Sequence, residues 1–519
     1  MGLIAKFASV GSATMASRIL GFAREALIGA ALGAGPVADA FYAAFRFPNL
    51  FRRIFAEGAF NAAFVPLFAR ELEGGGREAA RRFAESVLAI LIPVLLALSA
   101  LAILFMPALV AWIIAPGFSD DPAKFNMTVF MTRIMFPYLF CMSMVAMLSG
   151  ILNSMRRYFL AAFVPVLLNV ILVSVLLFGL LGGLSQSETG HLMAWGVFAS
   201  GVAQLFFLIW GVRREGFSMT FVRPRMNPGV NRLLVLMGPL VLTGGATQIN
   251  LLVGQIIASA QDGAIALLNY ADRVNQLPLG VIGIAVGVVL LPELSRALKA
   301  GNAQEAAHLQ NRSTEFALGL TVPAAVGLMV LAAPIINILY ERGAFTAETT
   351  ALTAAALVAF ASGLPAYVMI KVFQASYFAR EDTKTPMWFA FVQVAANIVL
   401  SLLFFPVYGH VAIAAATSVS AWMNAILLAV VLWRTGYFRL SAVTAKNLVL
   451  IVLASAIMGV VIYLLLDPLS DWTGSAAFFV RLIAVTGLIG AGCLVYFSVV
   501  LATGAVDHRQ LTNLLRRKN

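Results

Sequence analysis

Charge is scarce in this chain. Only 11% of its 519 residues are Asp, Glu, Lys or Arg, where a soluble protein carries about 25%. Cysteine is nearly absent: Cys141 and Cys493 lie far apart inside apolar stretches, which excludes a disulfide framework. Four histidines (His191, His308, His410, His508) are scattered without ligand spacing, so a zinc site is not expected. No G-x-x-x-x-G-K-[ST] loop, nucleophile elbow or HExxH occurs, which argues against ATP hydrolysis or hydrolytic chemistry by this chain.

Apolar residues fill the space. They make up 61% of the sequence, at a mean hydropathy of +0.93. Apolar runs of 18 or more residues recur, which is the signature of membrane-spanning helices. A transmembrane barrel would show ten-residue alternating segments instead. The expected fold class is therefore an all-α polytopic membrane protein. Spans are expected near 4–33, 37–69, 83–115, 125–155, 159–181, 191–212, 231–261, 264–297, 312–341, 347–379, 385–407, 410–433, 446–466 and 476–503, fourteen in all. Residues 1–30 are read as a retained span and not as a cleaved leader, because Arg18 and Arg24 fall where a small-residue cleavage site should follow.

The net charge of +12 is a topology signal rather than a nucleic-acid one. Loops on one side hold 24 Lys and Arg residues, among them Arg70, Arg77, Arg81, Arg82, Arg213, Arg214, Arg223, Arg225 and Arg232; the opposite loops hold only Lys124 and Arg342. By the positive-inside rule both termini are expected in the cytoplasm, with the basic loops attracted to anionic headgroups of the membrane lipids.

Internal repetition divides the chain. VPLFARELEGG at the end of the second span and LPELSRALKAG at the end of the eighth align Pro66 with Pro292, Arg70 with Arg296, Leu72 with Leu298 and Gly75 with Gly301. APGF at 115–118 and ERGAF at 341–345 follow in the same order. This predicts two six-helix lobes in parallel pseudo-repeat, residues 1–213 and 231–434. A basic cytoplasmic linker (214–230) joins them, and two additional helices with a basic tail follow (435–519). In parallel repeats the substrate is expected near the midplane between the halves.

Against this apolar background, the arginines of the first two spans stand out. Arg18, Arg24, Arg46, Arg52 and Arg53 have only Glu25, Asp39 and Glu57 nearby, and each intramembrane charge costs roughly 2.5–3.5 kcal/mol on insertion scales. Arg18 and Arg24 lie roughly 120° apart around their helix, with Gly21 between them permitting a close approach or a bend. Asp39, Arg46 and Arg53 recur every seven residues, so Arg46 is expected to pair with Asp39 and Arg53 with Glu57. Arg52 has no partner in its own helix, and Pro48 is expected to kink or break that helix. Asp272 and Arg273 occupy the equivalent place in the second half. A structural ion pair and a contribution to an anion site are both open for them. Arg133 and Arg481 are expected to snorkel, and Lys371 lies deeper in its span. The expected activity is secondary transport of an anion, driven by ion gradients, membrane potential or substrate flux.

SRILGFARE, DAFYAAFRFPNLFRRIFAEGAFNAAFVP, APGF, YADR and REDTKTP together resemble the MurJ (MviN) lipid II flippase family of the multidrug/oligosaccharidyl-lipid/polysaccharide exporter superfamily. The resemblance runs over nearly the whole chain. It implies transport of the undecaprenyl-diphosphate-linked disaccharide-pentapeptide (lipid II) across the bacterial inner membrane by alternating access, without catalysis and without a bound cofactor. It also implies that Arg18, Arg24, Arg52 and Arg273 bind the substrate in a cationic cavity. Asp39, Arg53, Glu57 and Asp272 would organise charge or gates, and the last two spans would accept the lipid tail. Some members carry Glu where this chain has Gln276, which leaves that acid's coupling role open here, along with coupling to membrane potential or a monovalent cation. Cell-wall synthesis proteins are the implied partners. A cation-coupled multidrug exporter of the same superfamily and a non-transporting scaffold for cell-wall enzymes are the alternatives; neither accounts for buried arginines.

Overall fold

The structure is a computed structural model that describes residues 3–475 and 477–504; the side chains of residues 3–9, 55–57, 242–244, 246–247, 281 and 283–289 lie outside that description. Among the described residues every regular element is helical. Ten helical runs are long and apolar enough to cross a bilayer. Large apolar side chains such as Phe178, Leu181 and Phe479 stand exposed on them, an arrangement suited to a hydrocarbon surrounding.

Local sequence explains where these helices begin and turn. Asp121 accepts from the backbone N–H groups of Ala123 and Lys124 at the start of Pro122–Met135. Ser185 and Glu188 form a reciprocal capping box at Gln186–Arg214, which satisfies two otherwise orphaned donors. Asn227, Asn302, Thr346 and Ser441 cap later helices in the same way. The Gly74–Gly76 run breaks Asn61–Leu104 at Gly76, whose φ of 71° suits glycine.

Pro48 behaves otherwise than expected. The Pro36–Phe51 helix runs through it and continues into a π-helical stretch, Arg52–Phe60. The proline removes one i→i−4 bond, and the next turns widen instead of breaking. This places Arg52 and Arg53 on a non-standard helix, so angles extrapolated from a straight α-helix do not hold there.

The chain forms two compact units. The first comprises residues 1–266 together with Arg342–Phe345; the second comprises Leu267–Glu341 and the chain from Thr346 onward. In the first, Leu3–Leu32 packs on Tyr158–Leu181, and Pro36–Phe51 on Pro122–Met135. In the second, Val372, Phe373, Leu428 and Leu432 centre one core between Leu364–Phe378 and His410–Arg434. A separate core (Leu331, Ala454, Met458, Ile462, Leu488, Tyr496) fastens Ala442–Leu466 and Phe478–Ala502 to the Ala303–Val330 helix. There Tyr496 donates its hydroxyl to the Gly319 carbonyl at 2.6 Å.

Candidate functional site

In the first unit the arginine-rich segment is held by one asparagine. Asn169, a lone amide in the apolar Tyr158–Leu181 helix, donates Nδ2 to the Ser17 carbonyl at 2.9 Å and accepts from Arg24 Nη1 at 3.0 Å. Gly21 lies between these contacts: a Cβ built there would meet the Asn169 amide at 3.5 Å. That is ordinary van der Waals distance, so the two helices would close on the amide with an alanine there as well.

Arg24 is buried, at 8% exposure. It donates Nη2 to Glu25 Oε1 at 2.5 Å, and the Tyr42 hydroxyl donates to Glu25 Oε2 at 2.8 Å. Its Nε, also buried, has no hydrogen-bond partner, an unmet demand that costs about 1–3 kcal/mol. Arg24 therefore carries a preset orientation and one unpartnered nitrogen. Arg18, two turns earlier, is exposed and makes no hydrogen bond or ion pair with a described residue. The two arginines thus present different faces, as their spacing requires. Arg52 does have a partner in its own helical run, contrary to the sequence reading: it is half-buried and donates Nε to Asn49 Oδ1, one turn earlier, at 2.9 Å. Arg53 is exposed; the Glu57 side chain lies outside the described residues, so the expected Arg53–Glu57 pair is not described.

Asp39 does not pair with Arg46. Its side chain is fully buried and faces Lys124, whose Nζ lies 2.8 Å from Asp39 Oδ2 and 2.9 Å from Asp262 Oδ1. The same Asp39 carboxylate accepts the backbone N–H groups of Gly263 at 2.7 Å and Ala266 at 3.0 Å. It thereby caps the start of the Ala264–Lys299 helix, whose N-terminal dipole favours an anion. Lys124 also lies over the Phe118 ring, 4.1 Å from its centroid. Lys124 reads in the sequence as a loop cation; it is in fact nearly inaccessible. The reason is tertiary: Pro122 starts a helix whose first turn is packed against Pro36–Phe51. Neither Asn169 nor Lys124 stood out in the sequence. The signal available for Asn169 was a single amide within VPVLLNVILV.

In the second unit Asp272 and Arg273 are half-buried. Gln276 is exposed and donates its amide to the Asp272 carboxylate, so the residue standing where an acid was expected engages Asp272 directly. Arg481 donates to Asn337 Oδ1 at 2.8 Å instead of only snorkelling. Outside the spans, the REDTKTP turn is organised by Asp382. The backbone N–H groups of Thr385 and Lys384 bond its carboxylate, and the Thr385 bond above all holds its carboxyl below the usual range. Among the described residues no group of three or more His, Cys, Asp or Glu is placed to hold a metal.

A family model described as lipid II flippase MurJ matches residues 28–486. A protein of Rhizobium tropici described as a probable lipid II flippase MurJ is 50% identical over 522 residues, spanning 100% of this chain and 97% of its own length. One of Rhizobium meliloti with the same description is 50% identical over 519 residues, again spanning 100% and 97%. A solved structure of a lipid II flippase MurJ in an inward closed conformation superposes with a TM-score of 0.79 at 29% identity, over 97% of this chain and 99% of that one. A multidrug resistance MATE family transporter aligns with a TM-score of 0.66 at 14% identity, over 81% of this chain and 94% of that one; at that identity the likeness concerns the fold alone. The chain belongs to the MurJ lipid II flippase family.

Proposed function

We propose that this chain is a lipid II flippase, moving the undecaprenyl-diphosphate-linked peptidoglycan precursor from the cytoplasmic to the periplasmic leaflet by alternating access. The observation that carries this reading is family membership along essentially the whole chain, at 50% identity to relatives described as lipid II flippases. The chain acts as a transporter and leaves its cargo chemically unchanged. It lies in the bacterial inner membrane with fourteen spans, two six-helix lobes (1–213 and 231–434) and two further helices, and with both termini in the cytoplasm. The basic loops support that orientation.

Arg18, Arg24, Arg52 and Arg273 contact the diphosphate headgroup in this reading. Guanidinium forks match phosphate oxygens and lose their hydration more readily than ammonium. The exposed, unpartnered head of Arg18 supports it. Asp39, Arg53, Glu57 and Asp272 organise charge around these cations or the gates. Transport draws on membrane potential or a monovalent cation, and no cofactor is required. Cell-wall synthesis proteins are the natural neighbours.

The test is depletion of the resident flippase in a bacterium carrying this chain as its sole copy. Cleavage of lipid II by an externally added lipid II-cleaving toxin should persist with the chain and fall when it is withdrawn. Unchanged cleavage after withdrawal would defeat the flippase reading.

A further inference from the structure

We propose that Lys371 is a further cargo-contacting cation, binding phosphate oxygens of the lipid-linked diphosphate; the inference rests on the flippase reading. The Leu364–Phe378 helix belongs to the apolar run Ala347–Phe378, which is largely buried, whereas the Lys384–Tyr408 helix is largely exposed. From Gly363 to Tyr377 every residue is buried except Tyr367, Ile370 and Gln374, which are half-buried, and Lys371, which is exposed. Positions 367, 371 and 374 fall at i, i+4 and i+7 and so form one stripe. A helix packed on its remaining faces thus opens along a single face, polar except for Ile370, with an ammonium at its centre.

That ammonium makes no hydrogen bond or ion pair with a described residue. Snorkelling does not relieve it. Lys371 is seven residues short of the helix's C-terminal end at Phe378, roughly 10 Å, and the Cα–Cβ bond tilts the stem toward the N-terminus, away from that end. An unpaired ammonium inside an apolar run is retained where it faces water or an anion. The stripe belongs to the same compact unit as Asp272 and Arg273 of the YADR motif. Lys371 adds to that unit a point charge able to follow a phosphate through changing geometry, which a planar guanidinium does less readily.

The full-length chain, purified in detergent, is titrated with lipid II and separately with undecaprenyl diphosphate lacking sugar and peptide. Lys371→Gln should weaken both by about ten- to a hundredfold, the loss of one charge-assisted hydrogen bond, while Lys371→Arg stays within about threefold of the parent. A Lys371→Gln protein that binds both ligands as the parent does would overturn the proposal. So would a loss seen with lipid II alone, which would place the contact on the peptide carboxylates. A second measurement survives a folding defect in the glutamine variant. In a background of Cys141→Ser and Cys493→Ser, Lys371→Cys should react with a charged, water-borne methanethiosulfonate, and either ligand should protect it. A thiol that fails to react, or reacts without protection, overturns the assignment. Absence of binding by the parent chain itself is the distinct result that counts against the flippase reading.

Discussion

Methionine in place of Lys124 would strand Asp39. In the first unit the two side chains are 1% and 0% exposed and 2.8 Å apart, so this pair is unlike the surface bridges worth about 0–1 kcal/mol. Removing one partner of a buried pair costs about 3–5 kcal/mol, because the other charge stays behind without compensation. Two facts move the value toward the lower end. Asp39 keeps the backbone N–H groups of Gly263 and Ala266, and the second acid at Lys124, Asp262, is 88% exposed and rehydrates readily. We therefore expect Lys124→Met to lose about 3 kcal/mol, and Asp262→Ala no more than about 1 kcal/mol. Asp39→Asn removes the charge that Lys124→Met would strand, so the double variant should recover most of the loss, with a coupling energy of about 2 kcal/mol or more. The assay is equilibrium unfolding of the full chain in mixed micelles, followed by tryptophan fluorescence for all four members of the cycle. Additive single losses, or a Lys124→Met loss below about 1 kcal/mol, would refute the argument from burial.

Three further outcomes follow from the same geometry. Arg18→Ala should leave thermal stability unchanged, because the side chain is exposed and unpartnered, yet abolish rescue of a flippase-depleted strain; a lowered melting temperature would show instead a structural role. Asn169→Ala should cost about 1–3 kcal/mol by removing partners of Arg24 and Ser17; a melting curve unchanged by this substitution would contradict the clamp. Asp382 titrates below its unfolded value of 3.8. Its contribution to the REDTKTP turn is therefore complete at neutral pH, begins to fall as pH drops toward 3.8 and is lost through the lower folded value. Asp382→Asn should flatten that part of the pH–stability curve, and an identical curve in both proteins would exclude the effect.

Much of the helical pattern could be read without coordinates, because apolar run length and capping residues are local properties. The helix beginning at Tyr158 and the break at Gly74–Gly76 are examples. Ion pairing was less legible. Seven-residue spacing suggested that Asp39 meets Arg46, but a helix register says nothing about a cation arriving from elsewhere in the chain, and Lys124 is 85 residues away. The geometry around Arg52 escaped for a different reason. A proline can be relieved by widening the helix as well as by bending it, and only the surrounding packing selects between the two. Arg24 was legible as an under-compensated charge, whereas its orientation depends on Asn169, an amide that composition treats as one polar residue among many.

Four residues, Arg342–Phe345, belong to the first unit although most of the second unit's first helices precede them in the chain. Their seat is tight: Ala344 donates its N–H to the Ala30 carbonyl at 2.8 Å. A Cβ on Gly33 or Gly343, both at positive φ, would come within 2.5 and 2.3 Å of the opposing backbone oxygen. In biosynthetic terms, the first unit cannot be completed when its own last helix leaves the ribosome. It waits for residue 345, a delay on the order of five to fifteen seconds at ordinary elongation rates. During that interval the turn after Leu32 lacks the backbone partner that Ala344 later supplies.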